Sequence, residues 1–432
     1  MITRIIRGWW YSFQFQKALK QEKLQRANYL LKKLEFLKIK LPLSVRLYQQ
    51  KLQAENAFRY YKQETANLSR RLKRFNESKP LLTPDASFIE HIHQTFKLVQ
   101  HDSNKLQITG IDRIVFEQLE IALANFLETE INQVSSPHRE AKLQEAVDDL
   151  LGLKQGIDPQ YSYSFSPHVY LLKYFSENVY CTYWAWFLVY QGGILPRNLK
   201  ILDLAAGPGT VIYGLALLLL STVGFCSVPP LHISYYSLEQ QAALQYRGLQ
   251  FWRSYIESFT LPLNAYFRFN TLNIFDYQEY KDKLPTSFFN FVVISHCFFY
   301  DPQQRQESHQ IYRQIFQHNL QSEGSVLLIV QGRKLFNMYD VLPTEDIVAE
   351  REIITQFLQE LGLQLEWYQY LTSTGKRTPV KSFGKFAREN LPSQHHLGNL
   401  RQKYLQETYM ASYCLDDYVI LAKRSEDISA YR

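Results

Sequence analysis

Cysteine is scarce: 432 residues contain four, Cys181, Cys226, Cys297 and Cys414. They lie far apart and form no C-x-x-C pair, which argues against a zinc site, an iron–sulfur site or a disulfide framework. The expectation is a reducing, intracellular setting with no stable metal. Long apolar runs are missing too. The longest uncharged stretch, Ala205 to Ser237, is broken by Gly207, Pro208, Gly209, Gly214, Gly224, Pro229 and Pro230 before it makes the roughly 20 apolar residues of a membrane span. No transmembrane segment is expected. The start, "MITRIIRGWWYSFQFQKALK", has no continuous apolar core ahead of a small-residue cleavage site, so it does not read as a signal peptide, and a cytoplasmic protein is expected. Neither a fixed-period repeat nor a low-complexity segment is found.

What the chain does have is apolar and aromatic material: 46% hydrophobic residues and 15% aromatics, with 30 Tyr and 28 Phe. That composition predicts packed structure, and the length predicts two or three domains. The net charge of +7 is uneven. Between Arg4 and Arg74 the only acids are Glu22, Glu35, Glu55 and Glu64, which suggests a basic helical module for an anionic surface: nucleic acid, an acidic protein or lipid.

Residues 1–78 read as a basic helical arm or hairpin. Leu24, Leu30, Leu31, Leu34 and Leu37 recur at helical spacing, Pro42 interrupts, and a second helical run follows through "SVRLYQQKLQAENAFRYYKQETANLSRRLKRF". Residues 79–156 read as a helical bundle portion, with "ASFIEHIHQTFKLVQ" as its first amphipathic helix. From 157 to 432 an aromatic helical lead-in precedes alternating strands and helices. Seven strands are expected: "LKILDLA", "LHISYYSLE", "NAYFRFNTLN", "FNFVVISHC", "GSVLLIVQG", "LQLEWYQYLTS" and "SYCLDDYVILAKR". Helices are expected near 210–222, 240–258, 302–320 and 344–361. Short apolar runs separated by helices predict an α/β fold with a largely parallel sheet covered on both faces. Between the last two strands no regular helix is expected. There an insertion, 373–409, carries Lys376, Arg377, Lys381, Lys385, Arg388, His395, His396, Arg401 and Lys403 with Phe383 and Phe386. Basic and aromatic residues together suit phosphates and bases, or an acidic protein surface, and the position suggests a substrate lid.

The segment with most chemistry is "ILDLAAGPGT". A strand, then D-x-A-x-G-x-G, then a helix, places a ligand at the C-terminal edge of a parallel sheet. Gly207 and Gly209 permit backbone angles and approaches that a Cβ would forbid, and the helix N-terminus attracts an anion. Nucleotide-binding Rossmann domains use related loops. Here, however, Asp203 sits at the strand end, where it would repel a pyrophosphate but can accept from a cationic or amino group. The next strand ends in Glu239, an acid placed to hold two ribose hydroxyls.

On these residues the chain resembles class I S-adenosylmethionine-dependent methyltransferases over roughly residues 160–425. The resemblance implies a seven-stranded, mostly parallel Rossmann-like sheet with an antiparallel last strand, here beside an α-helical N-terminal domain, and S-adenosyl-L-methionine as cofactor. It implies that the loop with Asp203, Ala205, Gly207 and Gly209 holds the methionine part and Glu239 the ribose. Asn273 would face the adenine beside the apolar Ile274, and Ser295 would also bind the cofactor. After the fourth strand the sequence Ser295-His296-Cys297-Phe298 replaces the Asn/Asp-Pro-Pro-aromatic signature of amino-methylating members. His296 is the candidate proton acceptor and Tyr300 the candidate orienting group. The two dedicated cysteines of carbon-methylating RNA enzymes are not recognisable. The layout also resembles methyltransferase-like assembly factors of small ribosomal subunits, without the metal-binding cysteines found in many of those. The expected function is methyl transfer to a macromolecular acceptor, protein or RNA. The alternatives are a non-catalytic assembly or binding factor and a membrane-associated small-molecule methyltransferase.

Overall fold

Strand alternation separates the two faces of the sheet even where the sequence is continuously apolar. Leu199, Ile201, Ile233, Phe291, Val293, Leu327, Ile329 and Val419 belong to one buried cluster, while their neighbours Leu202, Leu204, Val292, Ile294, Leu328, Val330 and Ile420 belong to another. A sheet covered by helices on both faces has no wet side, so its strands lose the polar half of the usual pattern. In the computed structural model the residues described are 2–21, 23–36, 45, 81–151, 153, 159, 161–223, 225–226 and 228–425. They fall into two compact units, Met1–Lys79 and Pro80–Arg432.

In the first unit, helices Ile2–Lys20 and Leu24–Phe36 bury Phe15, Ala18, Ala27, Leu30, Leu31 and Leu34 against one another with Val45. Trp10, Phe13 and Tyr29 remain exposed. The second helical run expected from residue 44 lies, apart from Val45, outside the described residues. No described helix is long and apolar enough to cross a membrane.

The second unit is built on nine strands: β1 (Val99–Asp102), β2 (Lys105–Gln107), β3 (Asn198–Leu204), β4 (Leu231–Glu239), β5 (Leu263–Thr271), β6 (Phe289–Ser295), β7 (Leu320–Gln331), β8 (Leu363–Thr372) and β9 (Asp416–Arg424). Their order is β1-β2-β8-β9-β7-β6-β3-β4-β5. Strands β3 to β7 pair in parallel, and β9 runs antiparallel between β7 and β8. The expectation of seven strands is corrected to nine. The hairpin β1–β2 adds to β8, and it takes residues that the periodicity assigned to a helix through Gln100. The helix Ala86–Thr95 ends at Phe96, whose amide bonds back to the Ile92 carbonyl, and Lys97 then turns with φ 50°. Three- and four-residue strands on a sheet edge are too short to show a period of two.

The helical cover begins with Ser166–Tyr170, passes through a π turn at Leu171–Phe175, and continues as Ser176–Gln191. That last helix is buried almost all round. Tyr180, Tyr183, Trp184 and Phe187 join Phe96 and Phe116 in an aromatic layer of edge and stacked contacts. Its other side lies on helix Thr210–Thr222. Gly214 makes this close approach possible, because a Cβ there would fall 2.4 Å from the Thr182 hydroxyl. The Thr182 hydroxyl and the Trp186 indole donate to the carbonyls of Thr210 and Val211 at 2.8 and 2.9 Å.

The 373–409 insertion contains two helices, Phe383–Asn390 and His395–Leu405, which corrects the expectation of an irregular stretch. Both are short, and Pro392 between them interrupts any continuous period. The Arg377 guanidinium bridges Glu350, on helix Ile347–Glu360, and Asp102 on β1. Glu350 is fully buried and also accepts from the hydroxyls of Tyr368 and Tyr418 at 3.0 and 2.7 Å. Arg401, also buried, donates to the Leu172 and Lys173 carbonyls. Replacing Arg377 by Met strands a buried carboxylate, so unfolding midpoints in urea should report a loss of about 3–5 kcal/mol. Adding Glu350→Gln to that variant should restore a large part of it. A double variant no more stable than the single one would mean that the ion pair is not what fastens the insertion.

Candidate functional site

A parallel sheet opens a crevice where successive crossovers leave in opposite directions, and ligands bind there, outside the carboxyl ends of the strands. In this chain the reversal occurs at β3, which has β4 and then β5 on one side and β6 and then β7 on the other. The residues leaving β3 and β6 therefore face a common crevice edge. They are the two segments to which the sequence assigns chemistry: Asp203 to Gly209, and Ser295 to Tyr300.

The loop after β3 places three residues in the left-handed region, Ala205 (φ 52°), Gly207 (φ 53°) and Gly209 (φ 84°). For Ala205 this costs about 1 kcal/mol, a strain held by surrounding bonds. The Ala206 amide donates to the Leu238 carbonyl at 3.1 Å, and the Gly209 amide closes a turn on the Ala206 carbonyl at 2.8 Å. Gly209 then caps helix Thr210–Thr222. Gly248, which the sequence did not single out, lets helix Ala242–Tyr255 press on the loop: a Cβ there would meet the Pro208 carbonyl oxygen at 2.0 Å.

Two acids flank this loop. Asp203 is fully buried. One of its carboxylate oxygens accepts from the Tyr235 hydroxyl, and the other, Oδ1, has no partner. Burial pushes its pKa up to about 8, against the help of the Tyr235 hydroxyl and with a further push from nearby Glu239. Glu239, at the end of β4, uses one oxygen to accept from the Gly207 amide and the other to accept from the Gln241 amide, each at 2.8 Å. Burial raises its pKa, and these amides oppose the rise. Tyr170 lies over the same edge. Its hydroxyl is 4.0 Å from where a Cβ of Gly207 would be, it accepts from the Asn178 side chain at 3.2 Å, and burial with the charge of Glu239 keeps it protonated. The π turn immediately after Tyr170 is of the kind that re-aims side chains near functional sites.

At the end of β5, the Leu272 amide donates to the Glu239 carbonyl at 2.9 Å, which brings Asn273 beside the Glu239 edge. The Asn273 side-chain oxygen caps the turn Ile274–Asp276 by accepting from the Phe275 amide at 3.1 Å. Ile274 is buried in the core of that face.

At the end of β6, His296 adopts φ 62°, and its amide donates to the Ile329 carbonyl at 2.8 Å. One ring nitrogen, Nδ1, is 3.0 Å from the Ser295 hydroxyl, and the other, Nε2, is 3.0 Å from Asp417 Oδ1. Asp417, at the start of β9, could not be found from the sequence, since 121 residues separate it from His296. The candidate orienting residue Tyr300 is exposed, on the loop before helix Pro302–Asn319. Of the insertion's basic residues, Arg377, Arg401 and Lys403 are held by protein partners, while Lys376, Lys381, Lys385 and Arg388 are exposed.

A topological switch at β3, a left-handed glycine loop from β3 into a helix, an acid ending β4 and an antiparallel last strand now stand together. The fold is that of the class I S-adenosylmethionine-dependent methyltransferases. No protein-family model and no curated protein matches the chain. Among solved structures it is similar to an S-adenosylmethionine-dependent methyltransferase from Methanosarcina mazei, 13% identical, over 54% of this chain and 94% of that one, with a TM-score of 0.31. It is also similar to an S-adenosylmethionine-dependent methyltransferase from Leishmania major, 11% identical, over 81% and 98% of the two chains, with a TM-score of 0.31. A third similarity is to the plantazolicin methyltransferase in complex with SAH, 13% identical, over 72% and 98%, with a TM-score of 0.29.

Because Asp203 binds a proton in the folded chain up to about pH 8 and in the unfolded chain only below its ordinary value of 3.8, the native state holds the extra proton between those values. Stability from this group therefore falls as pH rises through that window. Asp203→Asn, which keeps an acceptor for Tyr235 and does not titrate, should be no more stable than the parent chain near pH 4 and more stable by ~1–3 kcal/mol near pH 8. Chemical denaturation across that range measures it. A difference between the two proteins that does not change with pH would place the carboxylate in its ordinary range.

Proposed function

We propose that the chain is an S-adenosylmethionine-dependent methyltransferase acting on a macromolecular acceptor, protein or RNA. The observation that carries this reading is the buried, unpartnered Oδ1 of Asp203 beside a loop whose left-handed Gly207 and Gly209 leave no Cβ between the backbone and the crevice. A buried polar atom without a partner is costly unless a ligand satisfies it, and an acid at that position suits an amino group. The bound cofactor supplies an electrophilic methyl group. The loop of Asp203, Ala205, Gly207 and Gly209 would hold its amino-acid part, Glu239 its ribose, and Asn273, Ile274 and Ser295 its remaining edge.

For the acceptor, Asp417 takes the N–H of His296 Nε2, which leaves Nδ1 as the basic nitrogen beside the Ser295 hydroxyl. His296 then removes a proton from the acceptor, Tyr300 orients it, and alignment supplies most of the rate. The exposed Lys376, Lys381, Lys385 and Arg388 of the 373–409 insertion, together with the basic residues of 1–78, would grip the substrate. The insertion's span and a dedicated N-terminal module exceed what a small metabolite needs, and this favours the macromolecular acceptor over a membrane-associated small-molecule reaction.

One observation favours a second reading, a non-catalytic assembly or binding factor on the same fold. Both oxygens of Glu239 already accept from backbone amides, so the acid that would hold the ribose is also what closes the loop. Calorimetric titration of S-adenosylmethionine into the purified chain, repeated in buffers of different ionisation enthalpy, separates the two. We expect binding in the micromolar range, release of a proton as Asp203 ionises against the ligand's amino group, and loss of binding in Asp203→Ala and Glu239→Ala. An intact, folded chain that binds no cofactor at millimolar concentration supports the second reading.

A further inference from the structure

Three side chains of different elements meet at the sheet edge near the crevice: the Cys181 thiol from helix Ser176–Gln191, the His296 imidazole from the end of β6, and the Asp417 carboxylate from the start of β9. One ligand atom from each lies within 4.8 Å of the other two. Cys181 and Asp417 are buried, and the His296 side chain retains about a quarter of its surface. We infer that Cys181 Sγ, His296 Nε2 and Asp417 Oδ1 form a binding site for one divalent metal ion of the zinc type.

The donor set supports that ion class. Sulfur, imidazole nitrogen and a single carboxylate oxygen suit zinc or its cobalt substitute, whereas magnesium and calcium take oxygen ligands. Three protein ligands with one partly exposed side leave a fourth position for water, the arrangement of an open zinc site. The surroundings fit as well. In protein sites a ligating histidine is oriented by a hydrogen bond from its other ring nitrogen, and here Nδ1 already faces the Ser295 hydroxyl at 3.0 Å. The free carboxylate oxygen of Asp417 is likewise held, accepting from the Asp416 amide at 3.3 Å. His296 pays for its aim with a left-handed backbone, φ 62°, a strain that a non-glycine residue keeps only where its surroundings fix it.

Without metal the three groups satisfy one another, and burial beside the Asp417 carboxylate keeps the Cys181 thiol protonated. Binding exchanges the thiol proton for the metal and releases that proton to solvent. The proton on His296 Nε2 moves to Nδ1, from where it is donated to Ser295, so one proton leaves per ion bound. The expectation of no stable metal drawn from cysteine spacing is revised by this proposal, because residues 181, 296 and 417 carry no spacing signal. Metal loading withdraws His296 from proton transfer, so the two roles belong to alternative states of one edge.

The test uses the full chain, stripped with a chelator and titrated with Co²⁺ as a spectroscopic probe, followed by Zn²⁺ in competition. The expected result is one Co²⁺ per chain, with a sulfur-to-cobalt charge-transfer band in the near ultraviolet that Zn²⁺ abolishes. Cys181→Ala should remove the band and Cys226→Ala should keep it. If Cys181→Ala does not fold, His296→Ala, at a partly exposed position, carries the test: it should weaken binding at least ~10-fold. No saturable Co²⁺ binding, a band that survives Cys181→Ala, or unchanged affinity in folded His296→Ala each overturns the site and leaves the three groups a hydrogen-bond network.

Discussion

Two carboxylates are buried at the C-terminal ends of adjacent strands, and the geometry of the crevice follows from how each is satisfied. Glu239 accepts the amides of Gly207 and Gln241, so one acid ties the glycine loop of β3 to the turn after β4. That bond fixes where the loop runs, and Gly248 then lets the next helix close on Pro208 from outside. Asp203 is left with half of its hydrogen-bonding capacity unused. Burial in a dry edge disfavours the Asp203 charge, and the nearby Glu239 carboxylate adds to the effect, which is why Asp203 is driven to hold a proton. A cation placed at that edge would relieve both the desolvation and the repulsion.

The dry character of the edge comes from residues outside the motif. Helix Ser176–Gln191 buries Tyr180, Tyr183, Trp184 and Trp186, and its close approach to Thr210–Thr222 depends on Gly214. Tyr170, one π turn earlier, brings a hydroxyl over Gly207. The high aromatic content thus has a structural destination, a second layer over one face of the sheet. Much of the insertion's charge has one as well. Arg377 neutralises a fully buried Glu350, and Arg401 satisfies carbonyls around the π turn. Lys376, Lys381, Lys385 and Arg388 of the insertion stay exposed.

The seven central strands and the four helices between them were legible because each strand is a compact apolar run, each helix is long enough to express its period, and turn residues separate them. Helix Thr210–Thr222, for example, has the expected limits. The edge hairpin at 99–107 was not, since three or four residues cannot display alternation and the preceding helical pattern runs into it. The helices of the insertion were missed for a related reason: both are short, the first begins at a left-handed Ser382 (φ 60°) whose side chain makes no cap bond, and the second ends at a left-handed Gln406 (φ 55°) in place of the usual glycine. In the site, the loop and its two acids could be read because they are consecutive or sit at strand ends. Asp417, Tyr170 and Gly248 could not, because each reaches the crevice edge through tertiary packing alone.

The antiparallel course of β9 explains why Asp417 and the insertion belong to the same edge. Strand β9 runs against both β7 and β8, so β8 runs with β7, and its C-terminal end lies with those of β3 and β6. The start of β9 lies there too, since Gln331 at the end of β7 faces Asp417. Any segment joining β8 to β9 must leave and return at the crevice edge, whatever its sequence. A hairpin of a few residues would satisfy that geometry. The extra length spent between Thr372 and Asp416 therefore starts and finishes at the crevice edge, while its second helix packs on helices Arg113–Asn132 and Ser136–Leu150. The same reversal delivers a carboxylate from the last strand to a histidine two strands away, across the end of β7.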